Sequence, residues 1–300
     1  MEFYQLANYF NKCRIYQTNK IRRVNIMKYS VCNEMFGNYP IEKTAEILSR
    51  AGYQGIEFAP YTMFGNFTRY EINLGIQRMK SALSENGLEF VGFHWLLVGP
   101  EDYNLTSPKK NERLKAIEHL KKLLAAANEM GGGVLVLGSP KQRSTVPGQS
   151  ISDAVSNLAE SLASLADMAV TCNSKILIEA LSSDQTDVIN TLEQAKSLIK
   201  KINSPGISGM FDFHNVGDEN ESWEKIISKY YEIIQHIHIN EMDGNPPGSG
   251  KSDYRPTFRL LNRLKYSNWI SMEIFSKPVD PEDAVKKAMR FMLQIDNETK

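Results

Sequence analysis

One pattern constrains this chain more than any other. From Lys28 to Leu293 a short apolar run is followed by an amphipathic stretch, eight times over. The apolar runs are Lys28–Asn33, Gln54–Phe58, Glu89–Trp95, Gly133–Gly138, Lys175–Ala180, Gly206–Phe213, His236–Asn240 and Trp269–Ile274. Helical patterns are predicted between and after them, at Ile41–Ala51, Asn73–Ser84, Lys110–Met130, Ser152–Thr171, Val188–Ile202, Trp223–Gln235, Pro256–Leu264 and Pro281–Leu293. In the first helix Ile41, Ala45, Ile47 and Leu48 share a face, and Gly52 supplies the stop. The apolar runs are nearly continuous, as strands become when helices cover both faces of a parallel sheet.

Eight strand–helix units with no linker and no break in composition predict an α/β fold, a closed (β/α)8 TIM barrel in a single domain over residues 27–300. A doubly wound open sheet is the competitor. It rarely reaches eight regular units, and no strand here runs into a GxGxxG turn. A chain of 300 residues buries roughly 75% of its unfolded surface without disulfide staples. The three cysteines, Cys13, Cys32 and Cys172, are far apart and form no CxxC, which fits a reducing, cytoplasmic setting. Residues 1–26 carry Lys12, Arg14, Lys20, Arg22 and Arg23 but no apolar core, so they read as an N-terminal extension outside the barrel, or as an over-long start with Met27 as the true first residue. No run of 18 apolar residues exists, so no membrane span is expected. Thirty-five basic residues balance 35 acidic ones, which argues against nucleic acid as a partner.

The active site of such a barrel lies at the C-terminal ends of its strands. The last four strands each end in a metal-ligating residue: Glu179, Asp212, His238 and Glu273. Neighbouring strands lie about 5 Å apart, so these side chains would share one small volume. Three carboxylates cannot stay ionised there without a counter-charge. One divalent cation resolves the conflict, and O/N ligation without thiolate suits Mn²⁺ first, then Mg²⁺, Co²⁺ or Zn²⁺. His236 shares a face with His238, and only the strand-end position favours His238 as the ligand. In the fourth loop, Lys141 and Arg143 follow Gly138 and Ser139 and are candidates to hold a phosphate or carboxylate of a substrate. His94 and Trp95 are candidate substrate contacts. Glu57 is a candidate hydroxyl acceptor or partner for Arg143, and Glu241 a candidate to orient the ligand His238.

GIEFAPY at the second strand, LIEAL at the fifth, MFDFHN at the sixth, HIHINE and NPPGSG at the seventh, and SMEIF at the eighth resemble the xylose-isomerase-like sugar (phosphate) isomerases and epimerases, whose barrel also includes endonuclease IV. The resemblance covers about residues 27–295. It implies that Glu179, Asp212, His238 and Glu273 bind one Mn²⁺ or similar ion. It also implies that Glu179 and Glu273 flank a small carbohydrate, one removing the proton beside the carbonyl and the other returning one through an enediolate.

Relatives often show Asp-x-x-His at the sixth strand, whereas here the spacing is Asp212-Phe213-His214, with His214 a candidate substrate contact. Gly244 stands where the ketose 3-epimerases carry an Arg, and Gln185, another candidate contact, where they carry a second Glu. The reading is therefore a metal-dependent sugar or sugar-phosphate isomerase or epimerase. A lyase of the keto-inositol dehydratase type is the alternative, and an endonuclease IV-like hydrolase stands behind it. Assembly into a homodimer or homotetramer stays open.

Overall fold

A computed structural model describes residues 27–99 and 103–300. The N-terminal extension expected over residues 1–26 lies outside the described residues. The strands are β1 (Lys28–Cys32), β2 (Gly55–Phe58), β3 (Glu89–Phe93), β4 (Val134–Leu137), β5 (Lys175–Ile178), β6 (Ile207–Asp212), β7 (Ile234–Ile239) and β8 (Trp269–Met272). The helices that follow them are α1 (Ile41–Ala51), α2 (Arg69–Asn86), α3 (Lys110–Glu129), α4 (Ile151–Thr171), α5 (Leu192–Ile202), α6 (Trp223–Tyr230), α7 (Arg255–Leu264) and α8 (Pro281–Thr299). All neighbouring strands pair parallel, and β1 closes on β8 with Ser30 opposite Ser271. This is the closed (β/α)8 barrel that the eightfold pattern predicts.

Local chemistry explains where the helix ends differ from the sequence expectation. α2 starts at Arg69 rather than Asn73 because Thr68 and Glu71 form a capping box. α5 starts at Leu192 rather than Val188, since the Thr191 side chain accepts from Gln194 N. Val188 and Ile189 instead bury themselves in the loop before it. α1 stops where expected, at Gly52, whose φ of +96° suits a residue without Cβ.

The main apolar core lies between the sheet and the surrounding helices, on side chains such as Phe58, Phe93, Leu135, Ile176, Ile237 and Ile270. The barrel interior is divided. On the β4–β6 side it is apolar, with Val134, Val136, Leu177 and Met210 in contact. Towards β7, β8, β1, β2 and β3 it is polar, holding His236, His238, Ser271, Ser30, Cys32, Glu57 and His94, all buried. Buried polar groups need partners, and several here find them across strands, Ser30 with Ser271 and Glu57 with His236 and His238.

Candidate metal centre

Glu179 and Glu273 follow directly on β5 and β8, Asp212 ends β6, and His238 lies one residue before the end of β7. One ligating atom of each lies within 4.8 Å of the others, and all four residues are buried. The backbone brings them together through strand convergence, and a set of amides then aims them. Asn215 Nδ2 donates to Asp212 Oδ2 at 2.7 Å and to Glu179 Oε1 at 3.1 Å. Asn240 Nδ2 and the His214 backbone N–H donate to Asp212 Oδ1.

Burial pushes the Glu179 carboxyl well above the ordinary carboxylate range, and the charges of Asp212 and Glu273 push it further. Glu273 is raised by burial too, against the pull of His238. These directions mark several carboxylates crowded into one buried volume, each opposing the ionisation of the others. Such a donor set, three carboxylates and an imidazole facing one point, fits a divalent ion. Cys32 Sγ lies 3.9 Å from His238 Nε2, but burial and the nearby Glu57 raise its proton affinity well above the usual thiol value, so it stays a thiol beside the cluster.

His238 Nδ1 lies 2.9 Å from Glu273 Oε2, on the cluster side, while Nε2 lies 3.1 Å from Glu57 Oε1. Glu57 also takes a 2.7 Å bond from His236 Nε2. Burial alone would raise the Glu57 carboxyl; His236 and His238 reverse this and hold it well below the carboxylate range, ionised. His236 is kept neutral by burial, and a neutral imidazole still donates its N–H. A ligating histidine whose second nitrogen donates to a fixed carboxylate is the usual outer support of a metal site. His94 Nε2 joins the same network, 2.7 Å from Glu34 Oε2, with Nδ1 3.6 Å from Glu57 Oε1.

A narrow cleft opens onto the cluster, lined in part by His94, Trp95, Gly138, Pro140, Gln185 and Asn215. Phe275, Glu179 and Glu273 also line it. Trp95 holds φ at +51°, a conformation rare for a residue with a side chain and often kept at functional positions. Of the expected substrate contacts, His94, Trp95 and Gln185 therefore line this cleft.

Other expectations are corrected. Glu57 is no partner of Arg143; the two histidines of β7 take both of its oxygens. Glu241 does not orient His238. Because His236, His238 and Asn240 alternate inwards, Glu241 falls on the other face, where it accepts from Gly248 N and Ser252 N and holds the following loop. His214 turns to the Met242 carbonyl at 2.9 Å and packs on Phe275, outside the cleft lining. Asn215 occupies the place the spacing assigned to His214. Lys141 is exposed while Arg143 is fully buried, so the two do not form one basic patch. Sequence reasoning missed Asn215, Asn240, Glu34 and Phe275. For Asn215 a signal existed: it stands three residues after Asp212, where relatives of this pattern place a histidine.

Comparison with known proteins agrees with this architecture. A family model described as "Xylose isomerase-like TIM barrel" matches residues 45–295. The 3-dehydro-D-guloside 4-epimerase of Escherichia coli K12 is 22% identical over 275 residues, covering 89% of this chain and 99% of the relative. The ketose 3-epimerase of Arthrobacter globiformis is 25% identical over 252 residues, covering 82% and 80%. Among solved structures, a 3-keto-D-glucoside 4-epimerase from E. coli superposes with a TM-score of 0.78 at 21% identity, over 90% of this chain and all of the other. Among the described residues, no helix is long and apolar enough to cross a membrane.

Proposed function

The chain belongs to the xylose isomerase-like TIM-barrel family, and from that premise we propose that it is a divalent-metal-dependent epimerase or isomerase of a small sugar. The observation that carries the reading is the convergence of Glu179, Asp212, His238 and Glu273 in one buried volume at the strand ends. These four residues would hold the ion, Mn²⁺ first by donor type, with Mg²⁺, Co²⁺ or Zn²⁺ as alternatives. When bound, the ion supplies positive charge opposite the negative charge that builds on the sugar as its proton leaves.

The chain's own groups do the rest. Glu179 and Glu273 each present a carboxylate to the cleft, and each has one oxygen fixed by a neighbour, Asn215 in one case and His238 in the other. A carboxylate held in place can take a proton from the carbon beside a carbonyl, and its counterpart can return one. Trp95 and Phe275 border the cleft with apolar surface that suits a sugar face. Proton abstraction beside a carbonyl also begins a dehydration, so a lyase is the second reading. The epimerase activities of the two curated relatives favour the first.

The test is a panel of ketoses, sugar acids and their phosphates, incubated with metal-loaded protein in D2O and followed by NMR and mass spectrometry. Deuterium at the carbon beside the carbonyl with retained mass otherwise supports epimerisation. Loss of water identifies the lyase. No exchange with any panel member, at full metal loading, would falsify both.

A further inference from the structure

Another group of ligating side chains comes from the first three strands. Cys32 ends β1, Glu57 lies one residue before the end of β2, and His94 directly follows β3. All three are buried, His94 to an exposure of 1%, and one ligating atom of each lies within 4.8 Å of the others. His94 is held from behind, with Nε2 2.7 Å from Glu34 Oε2. Its Nδ1 has no hydrogen-bond partner and lies 3.6 Å from Glu57 Oε1. Neither protonation state satisfies that atom: a lone pair would face another acceptor, and an N–H would stop short of the oxygen. Bonds from zinc to nitrogen, oxygen and sulfur in a tetrahedral site place the donors about 3.3–3.6 Å apart. Nδ1 and Oε1 already stand at that separation. His94 also lines the cleft, so the group borders a route by which an ion enters.

We infer that Cys32, Glu57 and His94 form a second metal site, for a thiophilic divalent ion of the zinc type, separate from the oxygen-rich site of Glu179, Asp212, His238 and Glu273. Charge fits: the Glu57 carboxylate and a Cys32 thiolate balance a dication, and His94 adds a neutral lone pair. Coordination replaces the Cys32 proton, which passes to the buffer, because a thiol bound to a metal is deprotonated outright. Glu34 behind His94 is the usual outer carboxylate of a ligating imidazole. The two donor sets differ in softness. A sulfur donor favours Zn²⁺ or Co²⁺, whereas Mn²⁺ and Mg²⁺ prefer oxygen. His238 connects the sites, since its Nε2 lies 3.1 Å from Glu57 Oε1 while its Nδ1 faces Glu273. The inference goes beyond the epimerase reading and does not depend on it.

The full-length chain, chelated and then loaded with Mn²⁺ or Co²⁺, is followed by elemental analysis and absorption spectroscopy. About two cobalt ions per chain are expected but only about one manganese. The second cobalt brings the near-ultraviolet charge-transfer band of a thiolate–cobalt bond. Cys32→Ser loses that band and one cobalt. The double variant Cys13→Ser/Cys172→Ser, in which Cys32 is the only cysteine left, keeps both. The unfolding temperature, read on the same samples, confirms that the variants are folded, and if Cys32→Ser does not fold, the double variant decides. Cobalt that saturates at about one ion without the band overturns the second site, as does a band that survives Cys32→Ser or is lost in the double variant. Each of these results leaves the epimerase reading intact. A Cys32-dependent band, without deuterium exchange in any sugar of the panel, leaves the second site standing and overturns the epimerase reading instead.

Discussion

Nε2 of His238, on β7, lies 3.1 Å from Oε1 of Glu57, on β2, across the polar half of the barrel interior. The bond fixes the ring so that Nδ1 faces Glu273 and the acidic cluster. It makes a residue of an early strand part of a site otherwise built from the last four.

Glu57→Gln is expected to weaken metal binding about 10–100-fold while leaving the four ligands intact. The isosteric amide fills the same space but loses the charge that orients and polarises His238. Dialysis against graded metal concentrations with elemental analysis reads the change. Unaltered affinity would show that Glu57 only fills the barrel.

Glu179→Gln and Glu273→Gln are each expected to reduce solvent exchange at the substrate carbon by about 10²–10⁴-fold, since each removes one of two proton-transfer groups. Circular dichroism checks that both variants fold. If one variant keeps full exchange of the substrate proton and loses only turnover, that glutamate returns the proton and the other removes it.

Metal removal has a pH signature. Burial, Asp212 and Glu273 together raise the folded-state proton affinity of Glu179 above its ordinary value of 4.5. A group raised in this way stabilises the fold while protonated: the contribution is full below that ordinary value and is lost as pH rises through the raised one. Chelated protein should therefore lose Tm steadily above about pH 5, and Glu179→Gln should flatten the decline. Adding metal at about 100 times its Kd should restore about 2.7 kcal/mol at neutral pH, a Tm rise of about 5–10 °C. A Tm independent of both pH and metal would contradict the charge cluster.

Two glycine substitutions separate the site from the scaffold. A Cβ at Gly138 would fall 2.0 Å from Glu179 Oε2, the end of a side chain that can move. Gly138→Ala should therefore displace Glu179 and weaken metal binding with a small change in Tm. A Cβ at Gly92 would fall 2.0 Å from the Val134 carbonyl on the neighbouring strand. Gly92→Ala should destabilise the fold by about 1–3 kcal/mol or more, because backbone has to give way. Urea titration and metal analysis on both variants distinguish the outcomes.

The sequence by itself determined the barrel and its cluster of ligating groups. Eight alternating apolar and amphipathic segments admit few other closures. Once the barrel is accepted, parallel strands converge at their ends, so Glu179, Asp212, His238 and Glu273 must meet whatever the loops do. Helix ends were less legible where a cap, such as Thr68 with Glu71, overrides the apolar pattern. Tertiary structure alone decided which side chains complete the cleft. Asn215 rather than His214 turns in because the chain leaves β6 in a turn closed by the His214 N–H on Asp212. Glu57 meets His238 and not Arg143, and Arg143 is sealed while Lys141 stays in water. Strand alternation has a period of two and sets which face a residue takes; it carries no information about distances across a barrel or the path of a loop.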